Sequence, residues 1–124
     1  MSETVFGPYR PSRVVGDLVF ISGQVGVNPS DKSAARDVAS QTKQVMENMK
    51  RVLSAEGLTL AEVVKTTIFL KNMADFTAFN KIYGSYFAAP YPARSCVEVA
   101  GLPRVAGDTE LLVEIEAIAE RSQS

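Results

Sequence analysis

The sequence has 124 residues, of which 46% are hydrophobic and 22% charged, with a formal net charge of −1; these values predict one globular domain over residues 1–124. It has no histidine, which excludes Ser-His-Asp and Cys-His catalysis, and we expect no metal site. The balanced charge offers no basic patch for nucleic acid, and Cys96 is the single cysteine, so no internal disulfide can form. With neither a signal-peptide pattern nor an apolar run of about 18 residues, we expect a cytoplasmic protein without a membrane partner.

The first half of the chain predicts a β-hairpin followed by a helix. Residues 13–27 are rich in β-branched side chains, and the Gly16-Asp17 pair inside them indicates the turn of the hairpin. Residues 35–56 carry apolar side chains at three- and four-residue steps, as an amphipathic helix does. Asp37 can cap the start of this helix, and Gly57 can supply the left-handed residue just past its end.

The second half predicts strand, helix, strand and strand. Residues 63–70 indicate a strand, and the capping-box spacing of residues 59–62 favours a single helical turn that leads into it. Residues 73–87 show helical spacing of aromatic side chains, which the prolines at 90 and 92 bring to an end. Residues 94–100 and 111–119 alternate with period two and are predicted as strands.

Two helices can cover only one face of such a sheet. Alternation in the last strand puts Glu114 and Glu116 on the uncovered face, and alternation in the strand before it groups Arg94, Cys96 and Glu98, which we expect on the same face. A face that mixes apolar side chains with an arginine and three glutamates suits neither a core nor a purely solvated surface. We therefore expect a subunit interface that encloses polar sites.

Five stretches of the chain are similar, in sequence and in order, to the RidA family, also called YjgF. They are GPY at 7–9, ISGQ at 21–24, KTTIFL at 65–70, PARSCVEVAGLP at 92–103 and EIEAIA at 114–119, and the fourth is the most specific. The resemblance implies an α+β fold of the RidA and chorismate-mutase-like type, a mixed β-sheet with two helices on one face. It also implies a homotrimer whose sheets form a central barrel, with an active site in each cleft between subunits.

The resemblance implies an enzyme, a hydrolase acting on C–N bonds. Members are 2-iminobutanoate/2-iminopropanoate deaminases, which convert reactive imino and enamino acids to 2-oxo acids and ammonia without a cofactor. Two alternatives stay open: a non-catalytic ligand-binding or chaperone-like homotrimer, and an endoribonuclease or translation inhibitor. The absence of histidine and the balanced charge disfavour the ribonuclease.

The same resemblance implies two catalytic residues. Arg94 corresponds to an arginine that binds the substrate carboxylate, for which a guanidinium offers two parallel donors; its structural alternative is an ion pair with Glu114 or Glu116 across the sheet. Glu114 is the implied water-activating carboxylate. Because the stretch between Pro103 and Glu114 is longer than in typical members, Glu116 stays open for that role.

Four further residues are implied at the substrate-binding site. Tyr9 would close the pocket, Ser22 would donate its hydroxyl, Asn80 would lie beside the substrate on the second helix, and Cys96 would act through its backbone groups. Their structural alternatives are a packed aromatic ring, a turn serine, a solvated helix asparagine and a small buried hydrophobe. We expect no nucleophilic role for Cys96, because no neighbouring base is evident to activate it.

Overall fold

The structure is a computed structural model that describes residues 7–121. The predicted elements are confirmed, in the order β1 (Ser12–Val15), β2 (Leu18–Val25), α1 (Val38–Ala55), β3 (Val63–Leu70), α2 (Phe76–Ser85), β4 (Ala93–Glu98) and β5 (Val113–Glu120). Helix α2 begins later than the spacing predicted, because residues 73–75 form a 3₁₀ turn capped by the side chain of Asn72. None of the helices within residues 7–121 is long and apolar enough to cross a membrane.

Both ends of α1 are fixed by the residues that the sequence indicated. The Asp37 side chain accepts a hydrogen bond from the Ser40 N–H at 2.8 Å. At the other end Gly57 has a φ of +76°, and the Leu58 N–H donates to the Leu53 carbonyl at 2.9 Å, as in a Schellman ending. These local bonds define the length of the helix, whose apolar stripe then packs on the sheet.

The predicted turn before β3 is also present. It spans Leu60–Glu62, and its capping box is complete: the Glu62 carboxylate accepts from the Thr59 N–H at 2.7 Å, while the Thr59 hydroxyl accepts from the Ala61 N–H at 3.2 Å. The turn therefore directs the chain from α1 into the sheet.

The sheet is mixed, with the strand order β1-β2-β5-β3-β4. All neighbours are antiparallel except β3 and β4, whose parallel pairing requires the crossover that α2 provides. Both helices lie on one face, over a core that includes Val19, Ile21, Val45, Met46, Met49, Leu53, Ile68, Leu70, Phe79, Val113 and Ile115.

The strand register corrects one prediction. Arg94 aligns with Thr66 on β3, which in turn aligns with Ala117, whereas Phe69 aligns with Glu114. Aligned residues share a face, so Arg94 lies on the helix-covered side, and Glu114 lies on the other. Cys96 and Glu98 follow Arg94 by parity. The expectation that the arginine shares a face with the glutamates of β5 is therefore wrong.

The physical reason is that β4 is an edge strand. No residue of β4 is buried, and five of the six are exposed. Alternation groups side chains within a strand, but only a contrast in burial tells which group faces the core. Period-two patterning in β4 could not supply that contrast.

The uncovered face does mix apolar and charged side chains. Val15, Leu18, Phe20 and Val97 are 58%, 38%, 40% and 44% exposed. They share the face with Glu114, Glu116 and Lys65 of the central strands. Apolar side chains exposed together are typical of an interaction surface.

Candidate active site in two halves

One half of the candidate site surrounds Arg94. Its Nη1 donates a hydrogen bond to the Asn80 Oδ1 at 2.5 Å, and its Cζ lies 5.5 Å from the ring centroid of Phe76 and 5.1 Å from that of Tyr83. Phe76, Asn80 and Tyr83 follow helical spacing, which places all three on one face of α2. The guanidinium is thereby oriented by one acceptor and two rings.

Tyr83 joins this half of the site to the core. Its hydroxyl shares a buried 2.7 Å hydrogen bond with the Thr66 hydroxyl, and burial raises the pKa of the phenol. The ring therefore stays neutral and presents its face to the cation. The aromatic spacing of α2 in the sequence predicted only a helix. The position of Asn80 between Phe76 and Tyr83 was the signal that could have indicated Tyr83 as a site residue.

A shallow cavity of about 380 Å³ lies beside Arg94 and is lined by Asn80, Tyr83, Gly84, Tyr91, Pro92 and Arg94. The predicted residues Arg94 and Asn80 are thus brought together. The alternative of an ion pair between Arg94 and Glu114 or Glu116 is wrong for this chain, because the two carboxylates project from the opposite face.

Cys96 lies on the same face as Arg94 but packs at the edge of the core, aligned with Ile68. Burial raises the pKa of its thiol, against a smaller opposing effect of the Arg94 charge. A raised pKa keeps the sulfur protonated near neutral pH, which is the opposite of what a nucleophilic cysteine needs. The thiol therefore has no nucleophilic role, and the role of the Cys96 backbone groups in substrate binding stays a prediction.

The other half of the candidate site lies on the uncovered face. It is a cavity of about 420 Å³ lined by Tyr9, Ser22, Gly23, Val25, Pro103, Val105, Glu114 and Glu116. Three predicted residues, Tyr9, Ser22 and Glu114, meet here although they come from the N-terminal segment, β2 and β5. The cavity therefore gathers a phenol, a hydroxyl and carboxylates around one space.

Ser22 ties the N-terminal segment to β2. Its hydroxyl donates to the Arg10 carbonyl at 2.6 Å, and its N–H donates to the Pro11 carbonyl at 2.9 Å. These bonds fix the backbone that follows Tyr9, so that the tyrosine stays at the rim of the cavity. In the described chain, the Ser22 hydroxyl thus has a structural partner as well as a place in the lining.

Gly23 brings Glu114 close to the backbone of β2. The pairing of β2 with β5 is irregular between Ile21 and Gln24, and Gly23 lies in this irregular segment. A Cβ added at Gly23 would lie 2.8 Å from the Cδ of Glu114 and closer still to its Oε2. Only glycine therefore leaves room for the carboxylate in this position.

The surroundings of Glu114 favour its neutral form. Burial is the larger cause and the charge of Glu116 the smaller, and both raise the pKa of the Glu114 carboxyl. No hydrogen-bond donor or cation in the part of the chain described, residues 7–121, offsets them. A carboxylate with a raised pKa is a stronger proton acceptor, which distinguishes Glu114 from the exposed Glu116 as a candidate general base.

The two halves cannot act on one small molecule within a single chain. Arg94 and Asn80 lie on the helix-covered side, whereas Glu114 and Ser22 lie on the other side of the same sheet. In residues 7–121 no group of three or more potential metal ligands is present. Each half supplies only part of what a bound acid requires: a cation for its carboxylate, or a base for a proton.

Comparison with known proteins gives consistent matches over nearly the whole chain. A family model described as Endoribonuclease L-PSP matches residues 2–121. A Salmonella typhimurium protein named 2-iminobutanoate/2-iminopropanoate deaminase is 43% identical over 123 residues, which cover 97% of this chain and 92% of that protein.

Two solved structures have the same fold. Escherichia coli TdcF with bound serine superposes with a TM-score of 0.89 at 38% identity, covering 98% of this chain and 94% of the other. RidA from an Antarctic Psychrobacter superposes with a TM-score of 0.88 at 35% identity, covering 96% and 93%.

Proposed function

This chain belongs to the Endoribonuclease L-PSP family, also called RidA or YjgF, and we propose that it hydrolyses 2-imino and 2-enamino acids to 2-oxo acids and ammonia. The observation that carries the proposal is the chemistry of the two halves: an oriented, exposed arginine in one and a half-buried carboxylate of raised pKa in the other. Curated relatives at about 42–43% identity bear the corresponding deaminase name.

Hydrolysis of an imino acid requires few functional groups from the protein. A 2-imino acid carries a carboxylate next to an electrophilic C=N carbon, so Arg94 binds the carboxylate through two parallel N–H donors, while Asn80 holds the guanidinium in place. Glu114 removes a proton from water as its oxygen adds to the imine carbon. Glu114 returns this proton to the nitrogen of the tetrahedral adduct. The C–N bond then breaks as the proton of the adduct's hydroxyl also passes to the nitrogen, so that ammonia leaves and the C=O of a 2-oxo acid remains.

We propose that two copies of the chain complete each site. Arg94 and Asn80 of one copy then face Tyr9, Ser22 and Glu114 of a neighbour. The uncovered face supplies the contact, because burying its exposed apolar side chains against another copy stabilises the assembly. A homotrimer with three such clefts is the arrangement that the family resemblance implies.

Two other functions belong to different classes. The family description favours a ribonuclease, but the sequence has no histidine and a net charge of −1, and the larger cavity contains two carboxylates that repel phosphate. The serine bound to TdcF favours a binding protein for small amino or oxo acids. Hydrolysis of an imino acid distinguishes the deaminase from both alternatives.

The direct test generates the imine in situ from threonine with a pyridoxal-phosphate-dependent dehydratase, in the presence of semicarbazide as a competing trap. The wild-type chain is expected to increase 2-oxobutanoate release at the expense of the semicarbazone. Arg94→Lys, which keeps the charge but loses the planar fork, is expected to lose most of this effect. If neither protein changes the partition while both remain folded and oligomeric, the deaminase proposal fails and the binding protein takes its place.

Glu116→Gln is expected to extend activity to lower pH. The charge of Glu116 raises the pKa of Glu114, so removing that charge lowers the pKa and keeps the base ionised in more acidic solution. The measurement is the acid limb of a kcat/KM profile against pH. Glu120→Gln, on the same strand and face but outside the cavity lining, is the matched control; an equal shift in both variants would contradict the assignment.

Gly23→Ala is expected to lower kcat/KM by roughly 10²-fold, because the added methyl group displaces the Glu114 carboxylate by about 1 Å or more. The Tm should change little, since the end of a flexible side chain can move aside. Gly26→Ala is the contrasting control: its Cβ would lie 2.8 Å from the Gln41 backbone oxygen, so stability is expected to fall. Full activity in Gly23→Ala would show that the observed Glu114 position is not needed.

A further inference from the structure

The Glu114 cavity has an apolar side that the proposed chemistry does not use. Val25, Pro103 and Val105 line it, as do Tyr9 and Ser22 with their polar groups. Carboxylate binding, water activation and loss of ammonia involve none of these three residues. An apolar wall beside a reacting centre is suited to contact the part of the substrate that does not react.

We propose that Val105, with Val25 and Pro103, contacts the side chain of the substrate, and that Val105 thereby sets the preference for neutral aliphatic over acidic imino acids. The inference rests on the proposed function and adds to it a residue that determines specificity. Val105 belongs to the loop between β4 and β5 and not to the sheet, and its proposed role is to set substrate specificity.

The loop holds Val105 in a defined place. Residues 99–112 contain Ala106 and Leu111, which are buried against Val27 in a small second core, and Val105 packs on the same cluster. A loop with a core of its own is ordered by burial and not only by its ends. The position of the Val105 side chain is therefore part of the fold.

A buried amide fastens the far end of the same loop. Gln41 of α1 is fully buried; its Nε2 donates to the Glu110 carbonyl at 3.0 Å, and its Oε1 accepts from the Leu112 N–H at 2.7 Å. At the near end the Val99 N–H donates to the Leu70 carbonyl at 2.9 Å. With both ends bonded, the loop presents Val105 to the cavity as a fixed wall.

The charges of the cavity argue against acidic side chains. Glu114 and Glu116 are its charged lining residues, and none of the eight lining residues is a lysine or an arginine. An imino acid derived from aspartate would bring a second carboxylate toward these two, while Arg94 can bind only the first. A neutral aliphatic group meets no such repulsion and buries its surface on the three apolar side chains.

The experiment compares kcat/KM for the leucine-derived and the aspartate-derived imines, generated by L-amino-acid oxidase and L-aspartate oxidase and trapped with semicarbazide. The wild type is expected to favour the leucine-derived imine by about tenfold or more. Val105→Lys is expected to lower this ratio by at least about tenfold, because it removes apolar contact and adds a partner for the second carboxylate. Val14→Lys, the same change on an exposed residue of edge strand β1, should leave the ratio unaltered.

Two results would overturn the inference while the deaminase proposal stands: a wild-type ratio near one, or a ratio that Val105→Lys leaves within about twofold of wild type. If Val105→Lys does not assemble, Val105→Thr, of nearly equal volume, is measured in its place, with a smaller fall in the ratio expected in the same direction. A wild type that hydrolyses no imine at all would contradict the proposed function, and the subsite would then have no substrate.

Discussion

Mixing two inactive variants, Arg94→Ala and Glu114→Gln, is expected to restore about a quarter of the wild-type activity per chain. If each site takes Arg94 from one copy and Glu114 from its neighbour, a trimer that contains both variants has one intact site among its three. Random assembly of equal amounts puts both variants in about three quarters of the trimers. One third of the sites in those trimers gives the quarter.

The mixture must form by co-expression, or by joint unfolding and refolding, so that chains exchange. The two separate homo-oligomers, and the same proteins combined without exchange, are the controls and should stay inactive. Absence of recovery in verified mixed oligomers would mean that Arg94 and Glu114 do not act from different chains. Because both halves are confined to opposite faces of one sheet, that result would also remove the geometric basis of the proposed site.

Glu114→Gln alone is expected to lower kcat/KM by about 10²–10⁴-fold, the usual contribution of a positioned general base. The amide nearly matches the carboxylate in shape, so the cavity and the contact with Gly23 are retained. Steady-state rates of semicarbazide-competed imine hydrolysis measure the loss, with Glu120→Gln as the control for a changed surface charge.

The same substitution should not lower the stability at neutral pH. Burial raises the pKa of Glu114, so the folded chain binds this proton more tightly than the unfolded chain does. The wild type therefore loses stability as pH rises from the ordinary glutamate pKa through the raised one, and the glutamine variant does not. Thermal unfolding across that range should show the Tm of the variant rising relative to that of the wild type as pH increases. A Tm of the variant that falls relative to the wild type would indicate that ionised Glu114 is stabilising.

The secondary structure of this chain could be predicted from the sequence because the signals for it are local. Asp37, Gly57 and the capping box before β3 act within a few residues of themselves, and each does in the structure what its position predicts. The face of the sheet on which Arg94 lies could not be predicted, since it depends on how the edge strand β4 aligns with β3.

The candidate site divides in a similar way. The family motifs named Arg94 and Glu114, but alternation alone could not separate Glu114 from Glu116, which share a face. Partial burial and the close approach to Gly23, both products of the pairing of β2 with β5, set Glu114 apart. Tyr83 escaped notice because one side of its ring belongs to the core, and a helical aromatic pattern is explained by the core alone.

The placement of the two halves on opposite faces of one sheet has a consequence for dilution. A lone chain carries every group of the proposed site, yet its Arg94 and Glu114 are out of reach of each other, so folding by itself confers no turnover. Specific activity should therefore fall as the protein is diluted below the concentration at which its copies separate, and rise again on concentration. In such a protein, the catalytic rate reports on the equilibrium of association.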